Sequence, residues 1–197
     1  MSGRLTDTER ASLNCAMDRY ADGDEKAFAD VYDLLAPRLL GFFCRQTGDS
    51  ALAEDLAQQT LLQMHAARRN YATGSDVVPW AFAIGRNVLI DAHRRTRKEF
   101  LSRATDEDAE AVDLRVDRTS NPDEVAITRQ MLDAVKEVLH RVPEPQRAAW
   151  DLVHREGFST AETALALGIT ENAVKLRCFH VREAVRVAID REDKLPR

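Results

Sequence analysis

Apolar residues recur at intervals of three or four along most of the sequence, and this spacing limits what the chain can fold into. One such stripe consists of Phe28, Val31, Leu35, Leu39 and Phe42. This spacing places side chains on one face of an α-helix, whereas a half-buried strand requires alternation every two residues. Glycine and proline are scarce, with 8 and 6 residues among 197, so few positions interrupt the pattern. We therefore predict an all-α protein.

Proline and glycine predict where several helices begin and end. Pro37 lies inside the first apolar stripe and is expected to bend or break its helix, and Gly48 is expected to end that segment. Pro79 suits the first turn of a later helix that runs to about residue 98. In the C-terminal part we expect a helix over about 146–156, preceded by two prolines that stop the helix before it.

The charge distribution predicts two domains. The net charge is −5, but residues 86–103 hold six basic and two acidic side chains, and residues 104–128 hold two basic and eight acidic ones. An abrupt change from a basic block to an acidic, apolar-poor stretch is typical of a domain boundary. We place an acidic, flexible linker at 101–120, between small helical domains at 1–100 and 121–197.

The C-terminal domain contains the clearest local motif. Ser159-Thr-Ala-Glu162 is a capping box, in which the serine hydroxyl and the glutamate carboxylate each accept a hydrogen bond from the backbone at the start of a helix. Gly168 then suits a turn, and Thr170 can cap a second helix that runs to about Ile189. This order predicts a helix-turn-helix.

Two helices carry basic faces that could bind nucleic acid. In the second helix of the helix-turn-helix the basic residues are Lys175, Arg177, Arg182 and Arg186. In the first domain, Arg86 and the run Arg94-Arg95-Thr-Arg97-Lys98 follow an apolar helical segment that begins near Trp80. Such faces neutralise phosphates, and an aromatic residue or Asn87 could meet exposed bases. The alternative is that both faces are merely solvated, as is also possible for the acidic-polar face formed by Glu54, Asp55, Gln58 and Gln59.

Catalytic, metal-binding and membrane-inserted classes are not indicated. The sequence contains no glycine-rich phosphate loop, zinc-protease motif or nucleophile elbow. Its five histidines are scattered, and Cys15, Cys44 and Cys178 lack metal-ligand or disulfide spacing, so we expect reduced thiols, no metal site and no cofactor. No signal peptide or long apolar run is found, which predicts a cytosolic protein without membrane insertion.

Five segments, in this order, resemble the bacterial extracytoplasmic-function sigma factors of the sigma-70 family. The segments are Gly23-Asp-Glu-Lys-Ala-Phe28, Ala36-Pro-Arg-Leu-Leu40, Glu54-Asp-Leu-Ala-Gln-Gln-Thr-Leu-Leu62, Pro79-Trp-Ala-Phe-Ala-Ile-Gly-Arg-Asn87 with Asp91 and Arg94-Arg95, and Val142-Pro-Glu-Pro-Gln-Arg147. The resemblance extends from about Asp18 to Ile189. It leaves the residues before Asp18 unexplained, as a short capping helix or a disordered tail.

The resemblance implies a role for each of three faces. RNA polymerase would be bound by Glu54, Asp55, Gln58, Gln59 and Leu62. The minus-ten element would be opened and bound by Trp80, Arg86, Asn87, Arg94, Arg95, Arg97 and Lys98, with Asn87 as the candidate for a flipped base and the loop 70–78 beside it. The minus-thirty-five element would be read by Thr170, Glu171, Asn172, Lys175, Arg177, Phe179, His180 and Arg182.

The partners that the resemblance implies are core RNA polymerase, promoter DNA and an anti-sigma factor. On the polymerase, the contacts would be the clamp of the largest subunit and the flap of the second subunit. The chain would be a sigma region 2 bundle and a sigma region 4 helix-turn-helix without enzymatic activity. The alternative is a stand-alone helix-turn-helix regulator whose N-terminal domain serves dimerisation or sensing.

Overall fold

The computed structural model describes residues 4–103 and 135–192, with side chains described for 4–96 and 135–190. Within these ranges the secondary structure is helical and contains no strand. The chain divides into two compact units, which confirms the predicted all-α fold with two helical domains. Of the predicted linker at 101–120, residues 101–103 still belong to a helix, and the rest lies outside the described residues.

Residues 4–103, the described N-terminal part of the first unit, form four α-helices and two short 3-10 helices. They are α1 (Asp7–Ala21), a 3-10 helix (Glu25–Ala27), α2 (Phe28–Thr47), α3 (Ser50–Ala67), a second 3-10 helix (Arg68–Asn70) and α4 (Val77–Arg103). Helix α4 thus begins two residues before Pro79, which lies in its first turn as predicted, and it continues beyond residue 98.

The core of the first unit is built on aromatic contacts between α2 and α4. The Phe42 ring meets Phe43 and Phe82 edge to face, at centroid distances of 5.5 and 5.3 Å. Such geometry adds to the stabilisation that burial provides. Gly85 lets α4 approach closely, since a Cβ there would lie 3.1 Å from Cζ of Phe43 and 3.5 Å from the Thr60 side chain. The part of α4 just before its basic residues is therefore packed closely against α2 and α3.

The residues before Asp18, which the sequence left as either a short capping helix or a disordered tail, belong mostly to helix α1. It is longer than a short cap, and it begins with a capping box in which Thr6 and Glu9 satisfy each other's backbone donors. Its apolar face, Leu13, Met17 and Tyr20, is at most 2% exposed. Both the box and the spacing are visible in the sequence. They are the signal that the sequence reasoning missed.

Helix α2 continues through Pro37, so of the predicted bend or break the break is wrong. A proline inside a helix removes one backbone donor and clashes with the preceding turn. Pro37 and Asp33, whose carbonyl loses its partner, are both exposed, and water can therefore satisfy that carbonyl. Gly48 ends the helix as predicted, with a left-handed φ of 72° and its N–H donating to the Cys44 carbonyl at 2.9 Å.

The second unit contains helical residues 135–141 and three helices: α5 (Glu144–His154), the greater part of α6 (Thr160–Leu167) and α7 (Glu171–Glu192). Helix α5 begins two residues earlier than predicted, because Pro145 is accommodated in its first turn. The helix-turn-helix capping prediction is confirmed. The Glu162 N–H donates to Ser159 Oγ at 3.1 Å, and the Ala173 N–H donates to Thr170 Oγ1 at 3.2 Å.

Residues 135–141 and α7 share a core. Leu139, Val142 and Val181 form a buried cluster, against which Trp150 of α5 also packs. Two turns before Val181, Val174 is buried on the same face of α7. One face of α7 is therefore held by the unit, which leaves the other face to solvent.

Arg147 joins the elements of the second unit through backbone carbonyls. Its NH1 group donates to the Leu139, His140 and Val142 carbonyls at 3.3, 3.2 and 3.3 Å. These carbonyls lie at the end of the helical residues 135–141, where no partner within the helix is available. Burial lowers the pKa of this arginine.

We expect Arg147→Met to lower the free energy of unfolding of the second unit by about 2 kcal/mol, because three carbonyls, two of them partly buried, would lose a charged donor. Urea unfolding followed by Trp150 fluorescence in a Trp80→Phe background measures this change. The control is Arg141→Met, since that arginine is exposed and pairs with Glu137. Equal stability of the Arg147 and Arg141 variants would contradict the prediction.

None of the helices in the described part of the chain combines the length and the apolar character needed to cross a bilayer.

Candidate nucleic-acid and protein interfaces

One face of α3 is polar, acidic and open to solvent. The helix begins at Ser50 because the Asp49 carboxylate accepts the Ala51 and Leu52 N–H groups at 2.9 and 3.1 Å. The five residues predicted from the sequence are Glu54, Asp55 and Gln58, which are exposed, Gln59, which is partly buried, and Leu62, which is 67% exposed. At 3.6 residues per turn they fall within an arc of about 140°. The structure therefore brings all five together.

An exposed leucine gives this face the composition of a protein contact. Leu62 lies on the α3 face with Asp55 and Gln58, whereas the nearby Leu61 and Met64 are buried in the core. Protein interfaces typically have an apolar centre and a polar rim, and Leu62 with the polar residues around it has this arrangement.

His65, at the end of α3, takes part in a contact that sequence reasoning missed. Its Nδ1 shares a hydrogen bond with the Tyr20 hydroxyl, and the Arg68 guanidinium lies 5.7 Å from the Tyr20 ring centroid. Tyr20 precedes His65 by 45 residues, so no local pattern could indicate the pair. This contact fixes α1 against the end of α3.

The loop before α4 is shaped by its own side chains. The Tyr71 hydroxyl donates to the Ser75 carbonyl, Gly74 adopts a φ of 81°, and Asp76 accepts the Val78 N–H at 3.1 Å. Burial raises the pKa of Tyr71 to about 12, and Asp18 and Asp76 add to this shift. The hydroxyl therefore stays protonated as a donor at neutral pH. Loop residues 72–75 are nevertheless exposed.

Helix α4 presents part of the predicted basic face on one side. Trp80 is partly buried and its ring lies 5.2 Å from that of Tyr71. Asn87, Arg94 and Arg95 are exposed and lie within about 60° of Trp80 around the helix axis. These four residues thus form one face, with the aromatic ring near its start.

Three other residues assigned to the α4 face are placed differently or not described. Arg86 is partly buried and lies about 120° from Trp80 around the axis, so it does not share this face. Arg97 and Lys98 belong to α4, but their side chains lie outside the described residues. Arg94 is also 3.7 Å from Asp91 in a solvent-exposed ion pair, which has little stabilising value.

Helix α7 exposes five of its predicted residues within an arc of about 100°. They are Glu171, Asn172, Lys175, Phe179 and Arg182, all of them exposed, with Phe179 at 53%. Thr170 caps the helix at its beginning. The opposite side of α7 holds the buried Val174 and Val181. The helix therefore divides into a core face and a mixed basic, amide and aromatic face.

Arg177 and His180 do not lie within that arc. Arg177 is a partly buried residue on the other side of α7, where its guanidinium donates to the Pro145 carbonyl at 3.4 Å. His180 is exposed, about 80° beyond the edge of the arc, and its ring centroid lies 5.9 Å from that of Phe179. Arg177 thus ties α7 to α5.

The three cysteines are free thiols in the structure. Cys15 is exposed, Cys44 partly buried and Cys178 buried. Burial raises the pKa of the Cys44 and Cys178 thiols, which favours their protonated form at neutral pH. No cluster of three or more metal-ligating side chains occurs among the described residues.

Comparison with known proteins links both units to one family. Residues 31–99 match the family described as Sigma-70 region 2, and residues 132–185 match Sigma-70, region 4. The chain is 34% identical to the RNA polymerase sigma factor CarQ of Myxococcus xanthus, over 86% of this chain and 93% of that protein. It is 33% identical to the ECF RNA polymerase sigma factor SigF of Caulobacter vibrioides, over 96% and 99%. The chain belongs to the extracytoplasmic-function sigma factors.

A solved structure of a sigma factor has the same fold. It is the sigma factor RpoE in complex with the anti-sigma factor NepR from Bartonella quintana, with a TM-score of 0.67 and 25% identity over 84% of this chain and 98% of that one. The family resemblance predicted from the five segments is thereby confirmed. Helix α1 lies before the residues matched to region 2.

Proposed function

We propose that this sigma factor binds core RNA polymerase and directs it to specific promoters, without catalysing a reaction itself. The observation that carries the proposal is that both units expose a basic helical face, on α4 and on α7, while α3 exposes an acidic one. We assign polymerase binding and the minus-ten element to residues 1–100, the minus-thirty-five element to 121–197 and a connecting role to 101–120.

The acidic-polar face of α3 is the proposed polymerase contact. Its exposed carboxylates at Glu54 and Asp55 suit a basic partner surface, and Leu62 supplies apolar area at the centre. The proposed site on the polymerase is the clamp of the largest subunit. We further propose that the C-terminal unit of this protein contacts the flap of the polymerase's second subunit.

The loop before α4 and the exposed face of α4 are proposed to open the minus-ten element. Arg94 and Arg95 would neutralise phosphates, with Arg97, Lys98 and Arg86 as further candidates. Removing a base from the stack costs free energy that a pocket or an aromatic surface must offset. Asn87 is exposed on the same face as Trp80, which suits an amide that bonds a base edge beside an aromatic ring.

The exposed face of α7 is proposed to read the minus-thirty-five element as duplex. Asn172, near the start of the helix, can reach base edges in the major groove, and Lys175 and Arg182 can bind phosphates. Phe179 offers an apolar contact for a thymine methyl group. Because its guanidinium donates to the Pro145 carbonyl, we now assign Arg177 a supporting role within the unit. His180 is exposed outside this face and stays a candidate for a contact beside it.

An anti-sigma factor is proposed to keep the protein inactive until a signal arrives. The sigma factor of Bartonella quintana that shares this fold was solved with an anti-sigma factor bound, which supports a similar partner here. Such a protein would act by covering the faces that polymerase or DNA needs. Its action presupposes that those faces are exposed in the free protein, as they are in both units.

Reconstituted transcription tests the proposed function. Core bacterial polymerase mixed with the full-length protein should initiate from a subset of a promoter library, and core polymerase alone should not. The stand-alone regulator predicts instead tight duplex binding that does not depend on polymerase. Failure to initiate anywhere in the library, with specific duplex binding by the protein alone, would reject the sigma assignment in favour of that alternative.

A further inference from the structure

Three polar side chains form a stripe along α1 that faces the loop before α4. Arg10, Asn14 and Asp18 are spaced four residues apart, so they occupy successive turns of one side of the helix. All three are partly buried. We call them the α1 stripe. None of them belongs to the faces assigned to DNA or polymerase.

Two members of the stripe bind the backbone of the loop. Asn14 Oδ1 accepts the Val77 N–H at 3.1 Å, and Asp18 Oδ1 accepts the Gly74 N–H at 3.0 Å. Val77 is the first residue of α4, whose N–H has no partner within the helix. Asn14 therefore caps α4 from another helix, 63 residues away in sequence.

The third member acts through a side chain of the loop. The Arg10 guanidinium forms an ion pair with the Asp76 carboxylate, and both side chains are less than one-third exposed. Asp76 in turn accepts the Val78 N–H at 3.1 Å. The ion pair thus holds the residue that caps α4 from within the loop. Together the stripe fixes the loop tip, the residue before α4 and the first residue of α4.

Solvent could have satisfied the backbone donor at the loop tip, since Gly74 is exposed. An exposed loop with a glycine at its tip has considerable conformational freedom, and ordering it on ligand binding would weaken that binding. Three contacts from a remote helix order it in advance. This matters if the loop must receive a strand that has just been separated from its complement.

We propose that the α1 stripe is a positioning element for promoter opening: it holds the loop before α4 in the conformation that captures the separated DNA strand. The inference depends on the proposed function, because that function places the minus-ten strand on this loop. The inference gives α1, which lies outside the residues 31–99 matched to region 2, a part in promoter opening. The stripe would touch no DNA and would act through the loop.

The test uses a double variant, Asn14→Ala with Asp18→Ala, in the full-length protein. Polymerase reconstituted with it is mixed with a promoter selected by the unaltered protein, and opening is followed by 2-aminopurine fluorescence in the minus-ten element. We expect opening about tenfold slower, because two hydrogen bonds that order the loop are lost. Affinity for core polymerase and binding of closed promoter should stay within about twofold of the unaltered protein.

A matched variant retains the acceptors. Asn14→Asp with Asp18→Asn exchanges the two side chains, keeps an oxygen at each position and leaves the net charge unchanged, so it should open promoters at nearly the original rate. Ser12→Ala on the exposed side of α1 controls for changes to the helix itself. Hydrogen exchange of peptides covering 72–78 should be faster in the alanine pair and unchanged in the exchanged pair.

The outcomes separate this inference from the proposed function. Promoter opening by the alanine pair at the original rate overturns the inference but leaves the sigma function intact, since the unaltered protein would still initiate. An equal loss of core affinity, closed binding and opening also overturns it, because the stripe would then be purely structural. If the pair unfolds at the assay temperature, Asp18→Ala alone carries the test, since its bond lies at the exposed loop tip.

Discussion

Replacing Lys175 and Arg182 together by Glu is expected to lower the affinity of the holoenzyme for duplex promoter DNA about a hundredfold. Both side chains are exposed and lie two turns apart on the same side of α7. Each reversal removes a phosphate-neutralising cation and adds a repelling carboxylate. The slope of log affinity against log salt should become shallower by about two, one for each lost phosphate contact.

Anisotropy titrations of labelled promoter over a range of salt concentrations measure both quantities. A control with the same net charge carries Glu at Lys136 and Arg141, which are exposed in residues 135–141 of the same unit. Its affinity should change much less, because the reversed charges lie away from the proposed DNA face. If both double variants lost affinity equally, the effect would come from net charge and α7 would not be the reading helix.

Asp55→Lys is expected to weaken binding to core polymerase about tenfold or more, since it places a cation in the centre of the acidic-polar face of α3. The protein itself should stay folded, with its free energy of unfolding changed by less than about 0.5 kcal/mol, because Asp55 is exposed. Competition against a labelled sigma factor for core polymerase measures the affinity, and thermal unfolding measures the stability.

Asp33→Lys is the matched control for this substitution. Asp33 is exposed on α2 and lies outside the α3 face, so the same change of charge should leave core affinity nearly unaltered. A comparable loss in both variants would indicate a general electrostatic effect. Unaltered affinity of the Asp55 variant would remove this residue from the proposed contact.

Helix positions were largely predictable because their signals are local. Gly48, the Ser159–Glu162 capping box and Thr170 each act on backbone groups within a few residues, and all three were placed correctly. Of the two effects expected of Pro37, a bend or a break, the break does not occur. The carbonyl that loses its donor belongs to the exposed Asp33, and that exposure depends on packing that the local sequence does not show. Helix α1 could have been found, since Thr6 and Glu9 form a capping box as readable as the later one.

The candidate site was predictable as faces but not as contacts. Helical geometry could already have separated Arg177 from Lys175, because two residues turn the side chain by about 200°. No pattern in the sequence could join Asn14 to Val77 or Tyr20 to His65, because tertiary packing alone brings these segments together. The positioning of the loop before α4 therefore became visible only in the structure.

The burial of Leu13, Met17 and Tyr20 bears on how fragments of this protein can be prepared. A fragment cut at residue 31, where the match to region 2 begins, would strip α1 from the first core and bare the apolar surface that it covers. Such patches promote aggregation and unspecific capture of other proteins. Pull-down and NMR work on the first unit should therefore use fragments that begin no later than Thr6, so that the α1 capping box stays intact.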